Sequence, residues 1–79
     1  MIDELHVGDY VVVTHLYEGM TYGYNELMDE WIGEVARVKS LSYITLEPVG
    51  WIAKNDTTWA WCKEVLRKAT KSEVILALL

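Results

Sequence analysis

The apolar residues of this chain come in short runs that turn residues interrupt. Four runs rich in β-branched and aromatic residues predict β-strands at residues 10–16, 32–40, 43–47 and 57–61. Turn signals such as Gly8-Asp9 and Asn55-Asp56 precede the first and the last of these runs. Short strands at close spacing are typical of small antiparallel barrels. The pattern therefore predicts an all-β fold, a small and highly curved antiparallel barrel of about five strands.

The length of 79 residues limits the chain to a single core. We therefore expect one domain over residues 1–79. Val35 and Val38 are out of phase for strict alternation in the second strand, which predicts a β-bulge at Gly33 or Ala36. The predicted core consists of the inward residues of the strands and of the segment that follows them: Val11, Val13, Val35, Val38, Ile44, Leu46, Trp61 and Leu66.

The first long loop, residues 17–30, has the composition of turns. Asn25 is a residue type that caps helices, so we expect a short helical turn over residues 26–30. A turn of this length is unstable alone, and Met28 and Trp31 would lie on one side of it and pin it to the barrel. A second helical or 3₁₀ turn is expected at residues 62–66, with Val65 and Leu66 facing inward.

Residues 70–79 form an apolar C-terminal extension. Thr70-Lys71-Ser72-Glu73 fits the capping box of a short helix, whereas Val74-Ile75-Leu76 fits a last strand. We favour a strand or an extended tail for the first part of this extension. Because the last six residues are all apolar, we expect them to be buried, either on the barrel or against a second copy in a homodimer.

The charges are divided unevenly along the chain, whose net charge is −5. The first 36 residues hold eight carboxylates and no Lys or Arg. The negative electrostatic field of these carboxylates attracts basic surfaces and repels phosphate backbones. It predicts a protein partner with a basic surface and makes nucleic acid an unfavourable partner. The alternative is that the carboxylates only keep a small apolar protein soluble. The predicted partner-binding residues lie in or beside the acidic loop: Glu18, Glu26, Asp29, Glu30 and Glu34.

The sequence carries no signature of catalysis or metal binding. Cys62, His6 and His15 lack the spacing of a zinc site or of a nucleophile with its base. We expect Cys62 to be a small core residue and both histidines to be solvated. The chain should therefore be a non-catalytic protein with no cofactor. One cysteine forms no internal disulfide and no apolar run reaches membrane-span length, so we expect a cytoplasmic protein.

Two other classes of function remain open. An aromatic pocket could bind a small molecule such as a nucleotide signal, with a basic side chain on the phosphate. Its predicted residues are Tyr22, Tyr24, Trp51, Trp59, Lys63 and Arg67. A small barrel could also bind nucleic acid through aromatic side chains that stack on nucleobases and through nearby basic side chains that contact phosphates. The residues for that role cluster at Trp59, Trp61, Lys63, Arg67, Lys68 and Lys71.

Three short motifs, in their order, resemble those of a known group of proteins. They are Gly8-Asp9-Tyr10-Val11, Met28-Asp29-Glu30-Trp31-Ile32-Gly33, and the segment from Trp59 to Leu66, which reads W-x-W-x-x-E-x-L. Small SH3-like barrel proteins of bacteriophages and prophages share this G-D-x-V, M-x-x-aromatic-x-G and W-x-W-x-x-E-x-L order. The resemblance covers about residues 7–66. It implies an SH3-like barrel and a phage origin, and it supplies no shared catalytic residues to carry over. With it, an inhibitor of a host defence or transcription protein in the bacterial cytosol becomes a concrete version of the partner hypothesis.

Overall fold

A computed structural model describes residues 4–20, 23–49 and 59–79, which contain one four-stranded antiparallel sheet. The strands are β1 (Tyr10–Val13), β2 (Val35–Ser40), β3 (Thr45–Pro48) and β4 (Leu66–Lys68), in the spatial order β3-β2-β1-β4. Two 3₁₀ helices, Glu26–Trp31 and Lys63–Val65, and one α-helix, α1 (Lys71–Leu78), accompany the sheet. We call Glu26–Trp31 the acidic helix.

The main core lies on one face of the sheet, where the strand register aligns small and branched side chains. Val11 is opposite Ala36 on β2, and Val13 is opposite Leu66 on β4. The side chains that share this face are buried together with residues of the loops and 3₁₀ helices. The core cluster contains Leu5, Val11, Val13, Met20, Met28, Trp31, Ala36, Val38, Leu46, Trp61, Cys62, Val65 and Leu66.

Val35 and Val38 are buried on opposite faces of the sheet, which explains why their spacing does not fit strict alternation toward one face. Val12 and Val35 are opposite each other in the register and are both buried, yet neither belongs to the main core. Val35 lines a cleft of about 400 Å³ whose other wall includes Leu76 and Ala77 of α1. Successive strand residues point to opposite faces, so Val35 lies under α1 while Val38 enters the main core. The predicted bulge at Gly33 or Ala36 is wrong, and the register shift lies between Val38 and Ser40.

The prediction of a small, mostly β fold is confirmed, but the closed barrel of about five strands is not what the described residues form. They form an open sheet of four strands. Residues 59–61 of the predicted strand 57–61 are not in a strand, and residues 57 and 58 lie outside the described part. Strand β4 is not predicted by the sequence; it follows the correctly predicted 3₁₀ turn at Lys63–Val65 and pairs with β1.

The C-terminal extension is a helix, so the favoured strand or extended tail is wrong. The Thr70 hydroxyl accepts a hydrogen bond from the Glu73 N–H (3.2 Å), and the Glu73 carboxylate accepts one from the Thr70 N–H (2.8 Å). This capping box satisfies N–H groups that a helix leaves open at its start. No residue of α1 is buried on the sheet, and burial against a second copy stays a prediction.

The predicted core agrees with the structure at most positions. Val11, Val13, Val38, Leu46, Trp61 and Leu66 all belong to the main core, and Ile44 packs against it half-buried. Val35 is buried on the other face of the sheet. Within the described ranges, no helix is both long enough and apolar enough to cross a membrane.

Candidate functional site

The acidic helix owes its shape to the sequence Asn25-Glu-Leu-Met-Asp-Glu-Trp31. Asn25 is extended (φ −132°, ψ 136°), and its side chain accepts a hydrogen bond from the Leu27 N–H at 2.9 Å. A 3₁₀ helix has three residues per turn, so side chains at positions i and i+3 lie above one another. The helix therefore has three stripes, which are Glu26 with Asp29, Leu27 with Glu30, and Met28 with Trp31.

The Met28 and Trp31 stripe anchors the acidic helix to the core, as the sequence predicted. These side chains are 2% and 0% exposed. The Met28 sulfur accepts the Asn25 N–H at 3.4 Å, and the Trp31 ring lies 5.3 Å from the Trp61 ring at 51°. A six-residue helix is too short to be stable alone, so these two buried side chains are what hold it in one orientation.

The end of the acidic helix is joined to the sheet by backbone hydrogen bonds. Gly33 has a φ of +81°, which a residue with a side chain rarely adopts, and its N–H donates to the Val13 carbonyl at 2.8 Å. The Glu34 N–H donates to the Trp31 carbonyl at 3.0 Å. The helix is thus fixed at its start by Asn25 and at its end by β1, which makes it a rigid feature of the fold.

The remaining two stripes of the acidic helix face solvent. Glu26, Asp29 and Glu30 are exposed, and Leu27 is 52% exposed between them. A large apolar side chain ringed by carboxylates resembles the composition of a protein-binding surface, in which an apolar centre has a polar rim. Four residues of one short helix therefore offer both apolar contact and negative charge.

Tyr24 joins this acidic surface through its hydroxyl group. The Tyr24 hydroxyl lies 2.9 Å from both carboxylate oxygens of Asp29 and donates to that carboxylate. This hydrogen bond raises the pKa of Tyr24 above its usual value, with smaller contributions from partial burial and from the charges of Asp29, Glu26 and Glu18. Three carboxylates thus act on one phenol, which places Glu18 in the same negative field as the acidic helix.

A groove of about 150 Å³ lies beside the acidic helix. Tyr24 and Trp59 are its aromatic lining residues, and both are half-buried. Trp59 packs edge to face against Trp61, with ring centroids 6.4 Å apart at 72°. We call this feature the Tyr24–Trp59 groove. Its described lining residues are Gly23, Tyr24, Asn25, Met28, Trp59 and Ala60.

The structure divides the five predicted partner-binding residues into two places. Glu26, Asp29 and Glu30 lie on the acidic helix, and Glu18 occupies an exposed turn whose charge reaches Tyr24. Glu34 is also exposed but lines the cleft between the sheet and α1.

The six residues of the alternative ligand pocket are only partly brought together. Tyr24 and Trp59 line the same groove, whereas Tyr22 and Trp51 lie outside the described residues. Lys63 lines a different cleft, of about 340 Å³, with residues 41–44, Trp61, Cys62 and Glu64. Arg67 lies on β4, where its guanidinium bonds both carboxylate oxygens of Glu73 at 2.8 and 2.7 Å.

The cluster considered for nucleic-acid binding has few groups free to contact bases or phosphates. Trp61 is 1% exposed and cannot stack on a base. Arg67 is paired with Glu73, and the Lys68 ammonium lies 3.8 Å from the Asp9 carboxylate. Lys63 and Lys71 are exposed.

The cysteine and the histidines occupy separate places. Cys62 is 5% exposed in the main core, as expected for a small core residue. His6 and His15 are exposed, also as expected, and His15 stacks on Tyr17 with centroids 6.2 Å apart. Among the described residues, no group of three or more His, Cys, Asp or Glu side chains is arranged to hold a metal ion.

The helix α1 is a second exposed surface, of different chemistry. Ile75, Leu76, Leu78 and Leu79 are 52%, 70%, 61% and 95% exposed. Apolar side chains exposed in a contiguous patch mark interaction surfaces in many proteins. The only carboxylate side chain within α1 is Glu73, which is bonded to Arg67, and Glu34 lines the cleft beside the helix.

Two features of the acidic surface are not predicted by the sequence. Leu27 is exposed among the carboxylates, and Met28, besides being an anchor, lines the groove. The period of three in residues 26–31 could have identified the stripes. Comparisons of the chain with protein-family models, curated proteins and solved structures find no match.

Proposed function

We propose that this protein is a non-catalytic binding module whose acidic helix engages a basic surface on a protein partner. Glu26, Asp29 and Glu30 supply the charge, Leu27 supplies the apolar contact, and Glu18 extends the negative field. Glu34 lies apart, at the α1 cleft, and would contact only a partner that reaches around the sheet.

The observation that carries this proposal is the anchoring of the acidic helix. Met28 and Trp31 are buried in the core while the other four side chains of the helix face solvent. A rigid platform loses little conformational entropy when it binds. Little of its electrostatic interaction free energy is therefore offset by the cost of ordering a loop. Carboxylates clustered on such a platform attract a basic partner over distances set by ionic strength.

A more specific version of the proposal follows from the motifs shared with small phage proteins. In it, the sheet is part of an SH3-like barrel, the protein acts in the cytosol of a bacterial host, and the basic partner is a defence or transcription protein that it inhibits. Carboxylates arranged on a rigid scaffold can occupy a surface that otherwise binds phosphates, which is how such a protein would compete with nucleic acid.

The test reverses two charges of the acidic helix and keeps Asp29, whose carboxylate accepts the Tyr24 hydroxyl. Glu26→Lys combined with Glu30→Lys should reduce the association rate with a partner captured from a bacterial lysate by at least about tenfold, because electrostatic steering is lost. The partner is identified by mass spectrometry, purified, and measured by surface plasmon resonance at low and physiological salt. Raising the salt should slow association of the wild-type protein and change that of the variant little.

The matched control reverses two exposed carboxylates elsewhere, Glu4→Lys combined with Glu64→Lys. It changes the net charge by the same amount. If the control and the acidic-helix variant lose the same binding, only total charge matters and the proposed site is wrong. Tight binding of the wild-type protein to DNA at physiological salt would favour the nucleic-acid class instead.

A further inference from the structure

We infer that the Tyr24–Trp59 groove receives an arginine side chain of the protein partner. The inference rests on the proposed function, since it names the group by which a basic partner would be recognised. Its evidence is that Tyr24 and Trp59 are among the described lining residues of the groove and that the Tyr24 hydroxyl is hydrogen-bonded to the Asp29 carboxylate.

The size of the groove is the first argument. Its volume of about 150 Å³ is below the roughly 300–1,000 Å³ of pockets that take small-molecule ligands. The described part of the groove is therefore of a size that suits one inserted side chain.

The charge around the groove is the second argument. The Asp29 carboxylate accepts a hydrogen bond from the Tyr24 hydroxyl, and the negative charges of Glu26 and Glu18 also contribute to the raised pKa of Tyr24. Lys63 and Arg67, the cations that would have held a phosphate, lie elsewhere, one in another cleft and one bonded to Glu73. The described surroundings are thus complementary to a cation and repel a phosphate.

The chemistry of the lining residues favours arginine over lysine. Tyr24 and Trp59 line the groove with aromatic rings, and a planar guanidinium stacks on aromatic faces while an ammonium acts as a point charge. Both Asp29 oxygens lie 2.9 Å from the Tyr24 hydroxyl, and the lone pairs that one hydroxyl proton leaves open can accept the forked donors of a guanidinium. The Met28 thioether adds a polarisable surface for the methylene stem.

The experiment titrates isotope-labelled protein with the blocked peptide acetyl-Gly-Arg-Gly-amide and follows the resonances of Tyr24, Met28 and the Trp59 indole by NMR. We expect saturable shifts at these three residues with a dissociation constant in the millimolar range. The same peptide with citrulline, a neutral isostere of arginine, should give no saturation. Asp29→Asn should weaken arginine binding by about fivefold, because it removes the charged acceptor and keeps the shape.

Glu64→Gln is the matched control, since it removes one carboxylate from the other 3₁₀ helix and should leave the dissociation constant unchanged. Trp59→Leu should abolish saturation. If it instead unfolds the protein through its contact with Trp61, Asp29→Asn still decides, because Asp29 is exposed.

Several results would overturn the inference. Equal shifts with citrulline would show that charge is irrelevant, and equal affinity for a lysine peptide would show that the groove does not select arginine. Saturable shifts at the same residues with adenosine monophosphate would make the groove a nucleotide site. If Asp29→Asn has no effect on the peptide while the Glu26 and Glu30 reversals still abolish partner capture, the groove assignment fails and the acidic-helix proposal stands.

Discussion

The acidic helix and α1 begin in the same way and end up in opposite environments. Each starts at a capping residue, Asn25 or Thr70, whose side chain accepts a backbone N–H of the first turn and whose own N–H donates to the side chain of the third helical residue. The acidic helix buries two large side chains and exposes carboxylates. The longer α1 buries none and exposes Ile75, Leu76 and Leu78. A cap decides where a helix starts, whereas only buried side chains tie it to the rest of the molecule.

The largest expected effect contrasts an anchor with an exposed residue. Trp31→Ala should lower the free energy of unfolding by about 3–5 kcal/mol, because it leaves a cavity beside Trp61. At protein concentrations too low for association of two copies, Leu78→Ala, which changes a side chain that is 61% exposed, should change that free energy by less than about 0.5 kcal/mol. Urea unfolding followed by circular dichroism measures both. Similar losses for the two variants would contradict the difference between the helices.

The second prediction concerns what covers α1. We expect two copies to associate through its exposed apolar side chains, since burying them removes apolar surface from water. Leu78→Glu should then convert a dimer into a monomer of 9.1 kDa in sedimentation equilibrium. Leu41→Glu, at a side chain that is 43% exposed elsewhere, is the control and should stay dimeric. A wild-type protein that sediments as a monomer at every concentration would rule this association out.

The third prediction compares the two caps. Asn25→Ala should reduce the stability of the whole domain by about 1 kcal/mol, because the acidic helix is part of the core. Thr70→Ala should fray α1 and leave global unfolding nearly unchanged, because α1 buries no residue. Amide hydrogen exchange separates local fraying from global unfolding. Asn25→Asp and Thr70→Ser keep a capping oxygen and should restore protection, and a global loss from Thr70→Ala would show that α1 supports the core.

The smallest expected effect is the response of α1 to acid. The Arg67 guanidinium and the Thr70 N–H lower the pKa of Glu73 from its ordinary 4.5 to about 2. A lowered folded-state pKa contributes stability that is complete above the unfolded value and is lost as pH falls from about 4.5 to about 2. Because Glu73 is solvent-accessible, the loss should be local fraying of α1.

The Glu73 carboxyl carbon shift, followed by NMR from pH 6 to pH 1.5, measures this titration. Arg67→Gln removes the main cause of the lowered pKa and should return the midpoint toward 4.5. A wild-type midpoint already near 4.5 would mean that the pair between Arg67 and Glu73 does not persist in solution.

Local signals in the sequence were enough to place several elements. Asn25 marked the start of the acidic helix, the spacing of Met28 and Trp31 identified its buried side, and residues 62–66 indicated the second 3₁₀ helix. Thr70 and Glu73 also carried the correct signal for α1. The three consecutive apolar residues at 74–76 fit either a strand or a helix, and the capping interaction of Thr70 with Glu73 decides for the helix.

Features that depend on distant pairings were decided by the tertiary structure alone. Strand β4 exists because Leu66 meets Val13, more than fifty positions earlier, and its short run of residues carries no strand pattern of its own. Val35 is buried on the outer face of the sheet, at a cleft whose other wall includes Leu76 and Ala77 of α1, which no periodicity in β2 reveals.

The candidate site divides in the same way. The sequence by itself determined the charge of the acidic helix and which of its side chains are buried, because both follow from neighbours a few residues apart. The groove was decided by the fold, which carries Trp59 to Tyr24 across 35 positions and leaves Arg67 bonded to Glu73. Residue types state which contacts are favourable, but only long-range packing selects which of those contacts can form together.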